Sequence, residues 1–422
     1  MEDSLIRVDV DSEIGRLEAL LLHTPGAEVE NMTPRDAQRA LYSDILNLSI
    51  AQKEYEQLLR LFSKITKVYN IKDLLIDLLE DHSRRESLIG KICVEEGVTD
   101  YFDLLMELSS KQLASLLIEG LPAKIESLTA YLKDEYYALT PLYNYYFTRD
   151  SSVAIGNKIV ICKMANSVRI RESLISDALF RRAAPFDCEV VNFSQLQSPS
   201  PSNLYLEGGD ILVIREDILL IGNGARTSSE GIDLLISKLC RMGSGKRLNV
   251  VVQQLPHSPE SFIHLDMVFT MLNYDKAMVY KPLILGENQY QTVHIVIENG
   301  RVVKIKSVDN ILSILKRLGV DLEPLFCGGR ADEWNQEREQ WHSGANFFAV
   351  APGKVISYAR NVHTLGELAR HGYEVIPAWD IIEGRRDLES YGQCVITIEG
   401  SELPRGGGGP RCMTMPLRRA RQ

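Results

Sequence analysis

Apolar residues gather early in the run Ile14-Gly-Arg-Leu-Glu-Ala-Leu-Leu-Leu-His23, which reads as a buried strand closed by the turn Thr24-Pro-Gly26. Thr33 followed by Pro34 gives an N-cap with proline at the first helical position, opening a predicted helix through about Ser63. Lys67 to Ile71 reads as another short strand. The pattern then changes. From Lys72 to about Lys133 the leucines fall at helical spacing: Leu74, Leu75, Leu78 and Leu79, then Leu104, Leu105 and Leu108, then Leu113, Leu116 and Leu117. Ser109 or Ser110 can cap one of these helices, and Gly120 with Pro122 ends it. No strand-like alternation interrupts the stretch. Residues 72–133 therefore read as an α-helical insertion in a mixed α/β body formed by residues 1–71 and 134–422.

Beyond Tyr136 the rhythm becomes short strands and tight turns. Val153 to Met164 reads as a hairpin around Gly156-Asn157, followed by strands at 189–193, 211–214, 218–221 and 250–253. Further strands are predicted at 278–280, 292–297 and 302–305, the last two joined by Asn299-Gly300, and at 347–351, 355–358, 373–376 and 394–398. Helices at 171–184, 231–242, 308–318 and 365–371 interleave with them. Strand-strand-helix-strand units recur, which points to modular repetition and a radial arrangement, although no strict sequence period is present.

Composition changes the picture only by exclusion. The chain has 422 residues, 45% of them hydrophobic and 25% charged, as in ordinary globular proteins. A net charge of -10 without any Lys/Arg block argues against nucleic acid or an anionic membrane as partner and mildly favours a cationic substrate. Seven scattered cysteines, never arranged as Cys-x-x-Cys, suit a reducing compartment and disfavour a disulfide framework or zinc knuckle. The acidic start Met1-Glu-Asp3 is unlike a signal peptide, and Ala19 to Leu22 is too short to span a bilayer. A cytoplasmic protein is the expectation.

Four segments carry candidate chemistry. In Arg405-Gly-Gly-Gly-Gly-Pro-Arg411-Cys412 the glycines allow positive φ and close approach to a ligand, and the flanking arginines favour thiolate. Asp150, at the end of Asn144-Tyr-Tyr-Phe-Thr-Arg-Asp150, is either a turn former or a carboxylate at a sheet mouth able to grip a planar cation. In Leu206-Glu207-Gly-Gly-Asp210 the glycines can bring a carboxylate into a pocket, where Glu207 would hold a proton near neutral pH as a general acid/base. In Phe262-Ile-His264-Leu-Asp266, read as extended, His264 and Asp266 face one way. That pair can be a metal site, a structural pair or a base with its anchoring carboxylate; no further ligands of matching type lie nearby in sequence. Arg169 and Arg226 each follow a strand and precede a helix, where an arginine can close on a substrate carboxylate.

Together and in order, these segments resemble arginine deiminase, a family of guanidino-group-modifying enzymes. The resemblance runs from about Val8 to Leu417 and includes Ser12-Glu-Ile-Gly-Arg-Leu17, Leu22-His-Thr-Pro-Gly26 and Arg338-Glu-Gln-Trp-His-Ser-Gly-Ala-Asn346. It implies a five-fold pseudo-symmetric, pentein-like α/β propeller carrying the helical insertion, assembled as a homodimer or homotetramer. It implies hydrolysis of L-arginine to L-citrulline and ammonia through a covalent amidino-cysteine, with no metal and no cofactor. By position, Cys412 matches the nucleophile, His264 and Glu207 the proton-transfer pair, and Asp150 and Asp266 the guanidinium clamp. Asn144, Arg169 and Arg226 match groups holding the amino-acid end, and Phe147 a pocket wall. One position departs: Gly407 stands where the family carries an arginine, and Arg405 or Arg411 is left to compensate. This departure keeps open a deiminase or amidinotransferase for another guanidino compound such as agmatine, or a catalytically weak arginine-binding homologue.

Overall fold

The computed structural model describes residues 5–32, 42, 44–125, 128–132, 136–182, 185–194, 204–242 and 247–421. Within them one connectivity occurs five times: an antiparallel strand pair whose second strand, or in the first unit the shared strand, pairs in parallel with a third. The first unit joins Leu17–Leu22 to Met415–Arg419 (antiparallel) and to Lys67–Asn70 (parallel). The second is Ser152–Ile155, Lys158–Ile161 and Glu189–Asn192. The third is Ile211–Arg215, Ile218–Asn223 and Leu248–Gln254, widened by the hairpin Thr292–Glu298 and Arg301–Val308. The fourth is Phe269–Asn273, Lys276–Val279 and Glu323–Phe326. The fifth is Phe348–Ala351, Lys354–Tyr358 and Cys394–Ile398, with Glu374–Pro377 parallel at its far edge.

A parallel third strand needs a crossover, and a helix supplies it each time: Leu48–Ile65, Ile170–Arg182, Ser229–Met242, Ile311–Arg317 and Val362–Arg370. The hairpins are nearly continuous apolar runs because both faces are covered; Ile218, Leu219, Leu220 and Ile221 are all buried.

Helical spacing in residues 71–119 yields helices Ile71–Leu79, His82–Glu95, Phe102–Glu107 and Ser110–Glu119. Asn70, Asp81 and Ser109 cap three of them, Ser109 in a capping box with Gln112. Their buried leucines share one apolar cluster with Leu21 and Ile159 of the sheets and Ile175 of the helix Ile170–Arg182. The absence of strand there does not hold throughout, since Leu121–Pro122 pairs with Tyr137–Leu139. Thr33 and Pro34 lie outside the described residues; the described helix starts at Leu48, where the Asn47 side chain accepts from the Ile50 N–H at 3.2 Å. The short strands at 269–273, 323–326 and 415–419, absent from the sequence reading, complete the fourth and first units. Among the described residues no helix is long and apolar enough to cross a membrane.

The first crossover helix also anchors the chain leading to Cys412. Its face of Ala51, Tyr55, Leu58, Leu61 and Phe62 is buried, and so is Glu54. The Glu54 carboxylate accepts from the backbone N–H groups of Ser401 (2.6 Å), Glu402 (3.1 Å) and Leu403 (3.0 Å). Charge-assisted bonds of this kind contribute most when buried. Glu54→Ala should therefore lower the unfolding free energy by about 3 kcal/mol, read from the denaturant midpoint; an unchanged midpoint contradicts this role.

Candidate active site

Each unit contributes polar residues just ahead of its first strand. Asp150 sits in the one-turn helix Thr148–Ser151, and Glu207 precedes the 3-10 turn Gly208–Asp210. His264 precedes the 3-10 turn Leu265–Met267, which holds Asp266; Asn346 leads into Phe348–Ala351 and Cys412 into Met415–Arg419. The 264–266 segment is thus a tight turn and not the extended stretch read from sequence. Asp210 makes it so by accepting the Leu265 N–H at 2.8 Å.

These residues meet in one buried cluster. His264 Nε2 lies 2.9 Å from Glu207 Oε2, and His264 Nδ1 lies 3.6 Å from Asp150 Oδ1. The Cys412 Sγ lies 3.7 and 3.9 Å from the two oxygens of Asp266 and accepts from Asn346 Nδ2 at 3.2 Å. Two arginines take one oxygen from each aspartate. Arg169 Nη1 donates to Asp150 Oδ2 and Arg411 Nη1 to Asp266 Oδ2, each at 2.8 Å. Asp150 Oδ1 and His264 Nδ1 are buried without a hydrogen-bond partner, and both border the same space. A donor arriving at Asp150 Oδ1 would relieve a cost of about 1–3 kcal/mol there.

The glycines serve packing more than flexibility. Only Gly407 of the four has a left-handed φ, at 85°. A Cβ at Gly406 or Gly408 would run into Tyr146 and Phe147, and one at Gly409 would come within 2.6 Å of Asn346 Oδ1. In the Glu-Gly-Gly-Asp turn, a Cβ at Gly209 would meet the His264 ring at 2.5 Å. The loop therefore lies directly on Phe147, and Asn346 Oδ1 accepts from the backbone N–H groups of Arg411 (2.9 Å) and Cys412 (3.3 Å).

Charge states follow from these contacts and correct two expectations. Burial raises the Cys412 thiol well above its ordinary value, and Asp266 and Asp150 push it further the same way, outweighing Arg411. The flanking arginines do not produce a resting thiolate: Arg411 is engaged by Glu13 and Asp266, and Arg405 faces outward, 43% exposed and 2.8 Å from Asp44. Glu207 does not hold a proton either. Burial favours its neutral form, but Arg226, the His264 hydrogen bond and Arg169 bring it down to about 2. The proton sits on His264 instead, raised to about 9 because Asp150, Glu207 and Asp210 outweigh the opposing effect of burial.

Asp150, Glu207 and His264 place ligand-type atoms within 4.8 Å of one another, a grouping that sequence distance concealed. Arginine already supplies positive charge to both acids, Arg169 at Asp150 and Arg226 Nη1 3.5 Å from Glu207 Oε1. Arg169 is committed internally, since its Nε and Nη2 bind Glu172 at 2.9 and 2.8 Å and Nη2 also reaches the Asn144 carbonyl at 3.4 Å. Arg226 is freer: its Nη1 has no hydrogen bond, and it lines a recess with Ile263, Met267, Trp341, Pro404 and Gly407. Sequence reasoning passed over Asn346, Glu172 and Asp210 as site residues; for Asn346 the signal was present, in the Arg338–Asn346 motif.

A family model described as arginine deiminase matches residues 38–419. The chain belongs to the arginine deiminase family. Arginine deiminase of Bacillus cereus is 33% identical over 430 residues, covering 97% of this chain and 98% of the relative. That of Limosilactobacillus reuteri is 33% identical over 431 residues, covering 97% of each. Among solved structures, the N-terminal domain of ArgZ, an arginine dihydrolase from the ornithine-ammonia cycle in cyanobacteria, aligns with a TM-score of 0.52 at 14% identity, covering 95% of this chain and 97% of that one. SxtG, an amidinotransferase from Microseira wollei, gives 0.51 at 14%, covering 99% and 98%. At that identity the likeness shows the fold alone, the mixed α/β pentein fold.

The proton assignment is testable in this deiminase-family site. The His264 imidazole should titrate near pH 9 by NMR, and the midpoint should fall by roughly one unit or more in Glu207→Gln. Because the folded value lies above the unfolded 6.5, the stability it confers is complete below pH 6.5 and is lost as pH rises through 9. A midpoint that ignores Glu207→Gln contradicts the pairing.

Proposed function

We propose that the chain hydrolyses L-arginine to L-citrulline and ammonia, with Cys412 as nucleophile, and that one observation carries the assignment of roles. Asp150 and Asp266 each give one oxygen to an arginine of the protein and keep the other beside His264 Nδ1 and the Cys412 thiol. That leaves a gap edged by two carboxylate oxygens, the shape and charge of a guanidinium.

A guanidinium entering this gap brings positive charge next to a thiol that the aspartates hold neutral. The new cation offsets Asp150 and Asp266, so Cys412 ionises when substrate is present, its proton passing to solvent. Sγ then bonds to the central guanidinium carbon, assisted by the Asn346 Nδ2 donor. His264 delivers its proton to the departing nitrogen, the C–N bond breaks and ammonia leaves, giving a cysteine-bound amidino-thioether. Neutral His264 takes a proton from water; the oxygen bonds to the same carbon, the C–S bond breaks, and citrulline departs. Glu207 stays anionic throughout and stabilises the imidazolium. Arg226 meets the substrate carboxylate in its recess, with Asn144 and Phe147 as further substrate contacts; Arg169 serves by holding Asp150, while Arg405 is engaged by Asp44 at the surface instead.

The five repeated units, in this reading, are blades around a pseudo-five-fold axis, a propeller supported by their shared connectivity and by the equivalent positions of the site residues. Residues 72–133 are then an insertion on the catalytic body of 1–71 and 134–422, in a cytoplasmic homodimer or homotetramer. Gly407 favours a second reading of specificity. It lines the same recess as Arg226, so the recess holds one cation fewer than the family pattern provides. A missing charge-assisted contact costs roughly 1.5–3 kcal/mol, about tenfold or more in affinity. A guanidino compound without the carboxylate, such as agmatine, loses least by this change.

Purified protein given L-arginine should release citrulline and ammonia one to one. Cys412→Ala should release none, and Asp150→Ala and Asp266→Ala should lose nearly all turnover; full activity in any of the three sinks the mechanism. Comparable kcat/KM for arginine and agmatine would transfer the specificity to the second reading. Gly407→Arg should lower KM for arginine about tenfold, less whatever the left-handed φ of 85° costs a side chain there.

A further inference from the structure

The Ser12–Leu17 motif has no place in the chemistry above, yet Glu13 reaches the site across 398 residues of sequence. Its Oε2 accepts from Arg411 Nε at 2.9 Å, and its Oε1 from Arg411 Nη2 at 3.1 Å and the Val213 N–H at 3.2 Å. The far edge of the same guanidinium binds Asp266 Oδ2 at 2.8 Å, while the Gly209 and Ile211 carbonyls accept at 3.4 and 2.8 Å. All donors of a buried planar cation next to the nucleophile are thus assigned. The turn at Ser12 is itself fixed, with Ser12 Oγ accepting the Gly15 N–H at 2.9 Å. The charged groups facing Glu13 are Arg411, Arg149 and Arg419, and together they overcome burial and hold its carboxyl near 2.

We propose that Glu13 is a positioning residue: through Arg411 it fixes which oxygen of Asp266 faces the guanidinium substrate and offsets the arginine charge beside Cys412. The proposal rests on the deiminase reading of Cys412 and Asp266. Two effects follow with different signatures. Removing the Glu13 charge leaves Arg411 paired with Asp266 alone, which favours thiolate in the free protein. Loosening Arg411 also lets Asp266 turn, which weakens substrate binding. The charged groups facing Sγ are Asp266, Asp150 and Arg411, beside the Asn346 amide and the hydroxyls of Tyr146 and Tyr358; of the three arginines that Glu13 supports, Arg411 is the one next to Sγ.

The test uses the full chain carrying Glu13→Gln and Glu13→Asp. Alkylation of Cys412 by iodoacetamide, followed by mass spectrometry of its peptide, gives a pH profile without substrate; initial rates give KM and kcat for arginine. Glu13→Gln should move the alkylation profile to lower pH by roughly one unit and raise KM roughly tenfold. Glu13→Asp keeps the charge but is too short for both Arg411 nitrogens, so its profile should stay native while KM rises several-fold. A Glu13→Gln protein with native profile and native KM overturns the proposal. So does one that loses activity with its profile unmoved, because that is a structural role alone. If Glu13→Gln does not fold, native KM in Glu13→Asp overturns it. Failure of the deiminase reading would appear separately, as absence of turnover in the unaltered protein.

Discussion

Buried carboxylates must be paired, and here the pairing is deliberately incomplete. Asp150 and Asp266 are each secured at one oxygen by an internal arginine, Arg169 or Arg411, while the other is unpaired in Asp150 and has only the Cys412 thiol in Asp266. Full pairing would remove the site, whereas no pairing would leave two anions in a dry interior at a cost of several kcal/mol. The half-pairing holds each aspartate in place without using both of its oxygens on an internal cation. The state of everything nearby depends on it: the protonated His264, the ionised Glu207 and the neutral Cys412 thiol.

The fold makes that arrangement reachable with short-range devices. Each unit places a turn before its first strand, and the turns converge although they lie far apart in sequence. Local geometry then sets each side chain: the one-turn helix for Asp150, the glycine pair that lets the His264 ring sit against the backbone, and the Asn346 amide that ties two backbone N–H groups to the thiol. Glu54 secures the approach to the Cys412 loop, on a helix that otherwise only covers a sheet.

Much of this was legible in the sequence because it rests on local signals. Apolar runs broken by Gly-Asn and Asn-Gly turns gave most strands, helical leucine spacing gave the helices of 71–119, and the four chemical segments are those the structure brings together. The rest was set by distant partners. The flanking Arg411 looked like an activator of Cys412, but Glu13 and Asp266, invisible as its neighbours in sequence, claim its charge. Glu207 looked like a proton carrier until Arg226 and His264 stood beside it. The strand 415–419 was missed because its mates, 17–22, sit at the other end of the chain.

That last pairing has a consequence for biogenesis. Leu17–Leu22 leaves the ribosome well before its neighbour Met415–Arg419, which follows the Cys412 loop and emerges nearly four hundred residues later. Contacts of such separation form late and slowly. The first sheet must wait with an open edge, and a reactive thiol meets its aspartates only when the remainder of the molecule stands ready to enclose it. Assembly order thus brings the rise in the Cys412 thiol, which burial and the two aspartates cause, into being last.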